Sequence, residues 1–309
     1  MSLSAAIDVG SNTLRLLIAE IKDNKIFDVL YKRTITRLGA GIDQTGRLSV
    51  ASADLSLSVL KEFSSLISSY QVHHVRTVAT SALREASDAD IFIQRVRDET
   101  GITIEVISGE KEAELTLRGI LLSFPEPSTT STQSFLIVDM GGGSTELILY
   151  KNNRCLDKGS LPIGVIKLYR KYIKTDPISQ SDISALNDAI VPHIQALSKK
   201  ARSIDPQTLL IGTAGTFTTL GAIDLELDTY SREKIHLHRL SLSTLYKMRD
   251  NLFSLSLEER KTVRGLEPER ADLIIPGIQF TIKLMDLLQF HELIISDYGL
   301  LEGVLLDIT

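Results

Sequence analysis

Two copies of one short pattern constrain this chain more than any other feature. Phe135, Leu136, Ile137 and Val138 form an apolar run that ends at Asp139. Gly141, Gly142 and Gly143 follow, then Ser144, Thr145 and Glu146, then Leu147, Ile148 and Leu149. This reads as a buried strand, a glycine turn and a second strand. Three consecutive glycines allow positive φ and a close backbone approach to another group. Their N–H groups, with the Ser144 and Thr145 hydroxyls, can wrap an anion such as phosphate. Asp139 and Glu146 bracket that pocket with carboxylates, which suits a divalent cation between acid and phosphate, or an acid that activates water. A tight β-hairpin with solvent-exposed acids is the competing reading, and the close flanking of the glycines by acids and hydroxyls favours the phosphate loop.

The N-terminus carries the same arrangement. Ile7, Asp8, Val9, Gly10, Ser11, Asn12 and Thr13 precede the stretch Leu14 to Ala19. Asp8-x-Gly10 matches Asp139-x-Gly141. Asp23-Asn24 and Asn152-Asn153 supply the next turn in each copy, ahead of a third extended segment. Two matching strand–turn–strand units imply a duplicated domain with two phosphate loops facing each other. Neither loop opens into a helix, which argues against a P-loop or a dinucleotide fingerprint.

The length of 309 residues accommodates two domains of ordinary size. Hydrophobic content of 43% and charged content of 24% fit a soluble globular protein. A formal net charge of -5 gives no global basic bias, so nucleic acid is not an expected partner and a polyanion must be held by local arginines and metal. A single cysteine, Cys155, excludes an intrachain disulfide framework and fits a reducing cytoplasm. No apolar run is long enough to span a bilayer, and no signal-peptide pattern opens the sequence.

Between the loops the chain alternates strand and helix patterns. Ser52 to Ser69 has helical apolar spacing, HVRTVATSAL reads as a strand, Asp88 to Glu99 as a helix, ITIEVIS as a strand, and EKEAELTLRGILLS as a helix. Glu110, Glu112 and Glu114 stand in the first turns of that last helix, where the helix dipole alone favours acids by roughly 0.3–1 kcal/mol each. Residues 125–134, rich in Pro, Ser and Thr, read as the domain boundary. Ile183 to Ala201 reads as an amphipathic helix, and TLLIGTAGTFTTLGAI as strand, glycine turn and helix, whose N-terminus either holds an anion or simply joins two elements with small residues. His236 and His238 read as exposed strand histidines. Residues 268–289 read as a long buried helix, followed by a final strand and helix.

With these segments in hand, the two loops resemble the phosphate motifs of the actin, sugar-kinase and heat-shock-chaperone ATPase superfamily. Within it, DVGSNTLRLLIA, VATSALREA, VISGEKEAEL, VDMGGGSTEL and SDYGLLEGVL together resemble the exopolyphosphatase and guanosine-pentaphosphate phosphohydrolase family, in its short two-domain form. The resemblance runs from Ala5 almost to the last residue. It implies an α/β fold of two duplicated ribonuclease-H-like domains, each a mixed five-stranded sheet with flanking helices, and an active site in the interdomain cleft. The domains would be 1–124 and 125–309, with residues 299–309 able to pack back on the first. It implies that Glu112 is the catalytic glutamate, that Arg84 lies near phosphate rather than in a surface ion pair, and that Arg15 and Arg270 contact a guanosine tetraphosphate ligand. The chain departs from the family at Lys111, Glu114 and Leu301, where acid, arginine and arginine are usual. Lys111 would bind substrate phosphate or lower the basicity of Glu112, and Glu114 would raise it.

The expected activity is release of terminal orthophosphate from inorganic polyphosphate, or hydrolysis of guanosine pentaphosphate, by water. Ser11, Asn12, Thr13 and Gly142, Gly143, Ser144 and Thr145 would cradle phosphate. Mg²⁺ or another divalent cation would sit on Asp139 or Glu146, with Asp8. Glu112 would act as general base with Glu146 orienting the water, while Arg15 and Arg84 grip further phosphates. A sensor of guanosine tetraphosphate or polyphosphate with little turnover is the alternative, and a nucleotide-dependent phosphotransferase the third. Two-domain chains of this type also suit pairing as homodimers.

Overall fold

Alternation of side chains along the first strand already sorts the N-terminal half into layers. The computed structural model describes residues 3–23, 25–124, 133–200 and 204–308, without the side chains of 197–200. The boundary expected at residues 125–134 therefore lies largely outside the described residues, as does Asn24 of the first turn. Strand β1 (Leu3–Val9) sends Ala5, Ile7 and Val9 to one face and Ala6 and Asp8 to the other, as a period of two requires. Strands β2 (Thr13–Lys22) and β3 (Lys25–Ile35) complete a meander. Helices α1 (Ile42–Thr45) and α2 (Val50–Ser69), strand β4 (His74–Ala79), helices α3 (Ser81–Glu85) and α4 (Ala89–Thr100), strand β5 (Ile104–Val106) and helix α5 (Gly109–Leu121) follow. The sheet order is β3-β2-β1-β4-β5, antiparallel through the meander and parallel from β1 to β5.

The second half repeats this topology. Strands β6 (Ser134–Met140), β7 (Thr145–Lys151) and β8 (Arg154–Leu161) form the meander. Then come α6 (Val165–Tyr172), α7 (Gln180–Lys200), β9 (Leu209–Thr213), α8 (Ala214–Asp224), α9 (Arg232–Ile235), β10 (Arg239–Ser241), α10 (Leu242–Ser254) and α11 (Leu257–Arg260). A 3₁₀ turn at Pro268–Arg270, α12 (Ile274–Leu288), β11 (Glu292–Ile295) and α13 (Leu300–Leu306) close the chain. The sheet order is β10-β11-β9-β6-β7-β8, with β6, β9 and β11 parallel. This sheet has six strands rather than five, because short β10 adds antiparallel to β11. The long helix expected over residues 268–289 starts later, at Ile274, after the 3₁₀ turn. His236 and His238 are not in a strand: each is partly buried and bonded, His236 Nδ1 accepting from the Asp297 N–H and His238 pairing with Asp224.

Contacts divide the chain into two compact units, 1–126 with 298–309, and 127–297. In the first, Ile7, Val9, Leu14, Leu16 and Ile18 pack against Leu60, Phe63 and Phe92 of α2 and α4. On the other face Ala6, Leu17, Ala19 and Val78 pack against Leu115 of α5 and Leu301, Val304 and Leu305 of α13. In the second, Leu136, Val138, Met140 and Leu147 pack against α6, α7, α8 and α12. Among the described residues, no helix is long and apolar enough to cross a membrane.

Candidate active site

In each unit the candidate residues gather where the parallel strands end, the edge at which open α/β sheets bind ligands. In the first unit Asp8 lies one residue from the end of β1. Its cross-strand partner is Arg15, and Arg15 Nε and Nη2 donate to Asp8 Oδ2 at 2.8 and 2.6 Å. Burial opposes the Arg15 charge, but Asp8, with Tyr31 and Glu302, outweighs it and raises the guanidinium pKa. Asp8 Oδ1 and the Asn12 side-chain oxygen are buried with no hydrogen-bond partner. An unsatisfied buried acceptor costs about 1–3 kcal/mol, so these two atoms mark a place that suits a bound donor or cation.

The turn after β1 is pinned from behind. Gly39 donates its N–H to the Ser11 carbonyl, and Thr36 and Arg37 donate theirs to the Asn12 carbonyl. A trans peptide sets N–H opposite C=O, so the N–H groups of Asn12 and Thr13 turn the other way. Ser11 Oγ lies 2.7 Å from Ser81 Oγ at the start of α3, which ties this turn to the end of β4. Arg84, on α3, donates from one Nη to the Ile107 carbonyl at 2.8 Å and to Glu112 Oε2 at 3.1 Å. Glu112 stands in the first turn of α5, which Ser108 caps by accepting the Lys111 N–H. Glu112 is 7% exposed. Asp8, Ser11, Arg84 and Glu112 are thus carried by the same sheet edge. Lys111 turns elsewhere: its ammonium reaches Glu114 at 3.3 Å and Asp307 at 3.5 Å.

The second unit repeats the loop with different chemistry. Asp139 pairs across strands with Glu146, Glu146 with Ser160, and Asp139 with Thr213. Directly opposed residues share a face, so Ser160, Glu146, Asp139 and Thr213 form one polar row across four strands. Glu146 is 0% exposed and Asp139 is 7% exposed. Ser160 donates its hydroxyl proton to Glu146 Oε1 at 2.6 Å. Two buried carboxylates opposed across a strand pair repel each other unless a cation or proton lies between them.

The glycine loop is pinned here too. Val165 and Ile166, at the start of α6, donate N–H groups to the carbonyls of Gly141 and Gly142. The N–H groups of Gly142 and Gly143 therefore turn to the opposite side. A Cβ on Gly164 would lie 2.4 Å from the Gly142 oxygen and 2.6 Å from the Gly143 nitrogen, so this contact needs backbone without side chains. The close approach is a demand on Gly164, and Gly141 stands outside the left-handed region. Ser144 and Thr145 are buried, and Thr145 Oγ1 donates to the Ile163 carbonyl at 2.6 Å. Arg270, 8% exposed, donates to Glu267 at 2.9 Å and packs on the start of α8, where a Cβ on Gly215 would fall 2.2 Å from its Nη1.

Among the described residues, no three His, Cys, Asp or Glu side chains form a metal cage. The paired carboxylates Asp139 and Glu146 of the second unit are hard oxygen donors, and such a pair fits Mg²⁺, which keeps several waters and takes one or two carboxylates together with substrate phosphate oxygens. Ser81 and Ser160 were not singled out by sequence reasoning. Ser81 lies inside VATSALREA, and Ser160 opens SLPIGVIKLYRKY, a stretch that resembles a family segment beyond the glycine turn.

A duplicated mixed sheet with an Asp-x-Gly loop at the end of its first strand defines the actin-like, two-domain phosphate-handling fold. The chain belongs to the Ppx/GppA phosphatase family, which it matches over residues 17–309. It is 29% identical to Exopolyphosphatase 2 of Mycobacterium tuberculosis, covering 99% of this chain and 98% of that protein. It is 27% identical to the guanosine-5'-triphosphate,3'-diphosphate pyrophosphatase of Vibrio vulnificus, covering 98% of this chain but 58% of that longer protein. The crystal structure of an exopolyphosphatase from Cytophaga hutchinsonii superposes with a TM-score of 0.90 at 30% identity, covering 99% of this chain and 97% of that one.

Proposed function

We propose that this protein is a phosphohydrolase that transfers the terminal phosphoryl group of a phosphoanhydride chain to water. Inorganic polyphosphate and guanosine pentaphosphate are the two substrates proposed, after the names of the relatives. The observation that carries the reading is the row of buried Asp139 and Glu146 beside a glycine loop whose N–H groups turn away from α6. Acids held this close are unfavourable alone and favourable around a cation and a phosphate.

In this mechanism the phosphate-binding groups are the N–H groups of Asn12 and Thr13 with the Ser11 hydroxyl in the first unit, and those of Gly142 and Gly143 with the Ser144 and Thr145 hydroxyls in the second. Arg15, Arg84 and Arg270 neutralise further phosphates. Asp139 and Glu146 would hold Mg²⁺, which would supply charge neutralisation of the phosphate oxygens. Glu112 takes a proton from the attacking water as its oxygen bonds to phosphorus. The bond to the bridging oxygen breaks, and the products are orthophosphate and a chain one phosphate shorter. Arg84, bonded to Glu112 Oε2, is the arginine that links this base to substrate phosphate. Most of the catalytic effect in such reactions is positioning and charge stabilisation.

The test is phosphate release from long-chain polyphosphate, guanosine pentaphosphate and ATP, each with Mg²⁺ and with chelator. Release from one or both of the first two, abolished by chelator, is the expected result. No release from either sinks the proposal. Tight binding without release would favour a sensor, and label transferred from γ-labelled ATP to an acceptor would favour a phosphotransferase.

A further inference from the structure

We infer that Ser160 is a positioning residue for the Glu146 carboxylate. The inference rests on the hydrolase reading and adds to it a residue outside both phosphate loops. Ser160 lies on β8, the outer strand of the second sheet, and is exposed, whereas the carboxylate it reaches is fully buried. Its hydroxyl donates to Glu146 Oε1 at 2.6 Å, the short distance of a bond to an ionised acceptor. Glu146 in turn opposes Asp139.

The local backbone is shaped to make this bond. Tyr150 pairs with Cys155 and Lys151 with Arg154 around the Asn152-Asn153 turn. Continued without interruption, that register would set Gly159 opposite Glu146. A bulge between Leu149 and Tyr150 shifts the pairing by one residue, so that Leu149 meets Asp157 and Glu146 meets Ser160. A bulge re-aims side chains, and here it replaces a residue without a donor by one with a hydroxyl. The extra residue, Leu156, is left largely exposed.

The hydroxyl does two things. It gives one oxygen of a fully buried carboxylate a hydrogen-bond donor. It also restrains rotation of the carboxylate about its terminal torsion, which is otherwise broad. Both keep Glu146 ready as a charged ligand or water-orienting group when substrate arrives. In the first unit the residue opposite Asp8 is Arg15, whose own outer-strand partner is Arg33, so the serine is needed only where two acids oppose each other.

The experiment compares wild type, Ser160→Ala and Ser160→Thr. Phosphate release from polyphosphate and guanosine pentaphosphate is followed for kcat and KM, and Mn²⁺ binding is followed by electron paramagnetic resonance. Loss of one hydrogen bond to a charged group lowers kcat about 10-fold in Ser160→Ala, with KM within about twofold. Mn²⁺ affinity falls as well. Ser160→Thr keeps the hydroxyl and restores both. Wild-type kcat and Mn²⁺ affinity in Ser160→Ala overturn the inference while leaving the hydrolase reading intact. A wild-type protein inert on both substrates overturns the hydrolase reading, and the Mn²⁺ comparison alone then decides the role of Ser160.

Discussion

Glu146 and Arg15 occupy matching places in the two halves of a duplication, each directly across from the loop aspartate. In the first unit the pair is of opposite charge and closes into a salt bridge at 2.6 Å. In the second it is two acids. The same backbone thus yields one loop whose acid is paired with an arginine and one with two opposed acids, which a cation or a proton would relieve. Glu146→Gln removes a like-charge opposition worth up to about 1 kcal/mol across a strand pair. In metal-free buffer this variant is expected to unfold at a urea midpoint equal to or above that of wild type, while phosphate release falls about 100-fold or more. A variant both less stable and fully active would contradict the role given to the acid pair. Glu112→Gln is expected to lose turnover by ~10²-fold or more with substrate binding retained, measured by single-turnover release and equilibrium binding. The sequence showed Asp8, Asp139, Glu112 and Glu146 because they sit in continuous motifs. It did not show the partners Arg84 takes on Ile107 and Glu112, since that contact joins α3 to the end of a strand more than twenty residues away. Ser160 was hidden more deeply, behind a one-residue bulge that no local pattern announces.

Helix α5 carries Glu112 and is held by the closest helix pairing in the first unit. A Cβ on Gly119 would lie 1.9 Å from the Gly299 oxygen, and one on Gly303 would lie 1.8 Å from the Leu115 oxygen. The backbones of α5 and α13 touch there, and no side chain fits between them. Gly303→Ala is expected to destabilise by about 2 kcal/mol, as overpacking does, and to lower turnover by shifting Glu112. Thermal unfolding with and without Mg²⁺, beside kcat, checks this; an unchanged melting temperature would show that the pair can separate at no cost. The family departures find their meaning in this helix pair. Leu301 is 1% exposed and packs with Ala6, Leu17 and Leu115, so an arginine there has become core, worth roughly 2 kcal/mol of apolar burial. Lys111, Glu114, Arg118 and Arg76 form one network with Asp307, so Lys111 answers to the end of α13 rather than to Glu112. Helix existence was legible from apolar period and caps. The strand read around His236 and His238 lies just downstream as β10, whose three residues make the sixth strand.

At the scale of the whole molecule the two units carry different responses to acid. In the second, burial holds the His236 pKa below its usual value, helped by Arg232 and opposed by Asp297, while Nδ1 accepts from the Asp297 N–H. A histidine whose folded pKa is depressed contributes stability that is complete above about pH 6.5 and is lost as pH falls through the folded value. In the first, burial raises the Asp307 pKa, but the Arg76 hydrogen bond and the charges of Lys111, Arg118 and Arg76 outweigh it and lower the value. Its contribution is complete above about pH 4 and is lost only below that. Hydrogen exchange resolved by peptide between pH 7 and pH 5 is expected to rise around residues 236–240 and 292–297 while residues 300–307 stay protected. His236→Gln should flatten that rise, and equal loosening of both regions would refute the assignment.

The hydrolase proposal gives both Asp-x-Gly loops a part in turnover, and substitution of the two aspartates separates coupled parts from independent ones. Asp8→Asn and Asp139→Asn test it together. Each single substitution removes a carboxylate expected to contribute about 100-fold to turnover. Were the loops independent, the double variant would lose the product of the two effects, about 10⁴-fold. Residues that act as a unit are strongly non-additive, so the double variant is expected to lose little more than the worse single one, about 10²- to 10³-fold. Circular dichroism must show all three variants folded, since Asp8→Asn leaves the partly buried Arg15 with a neutral partner. Losses that multiply would mean that one loop binds phosphate for some purpose other than the reaction, and the acid pair at Asp139 and Glu146 would then have to carry the chemistry alone.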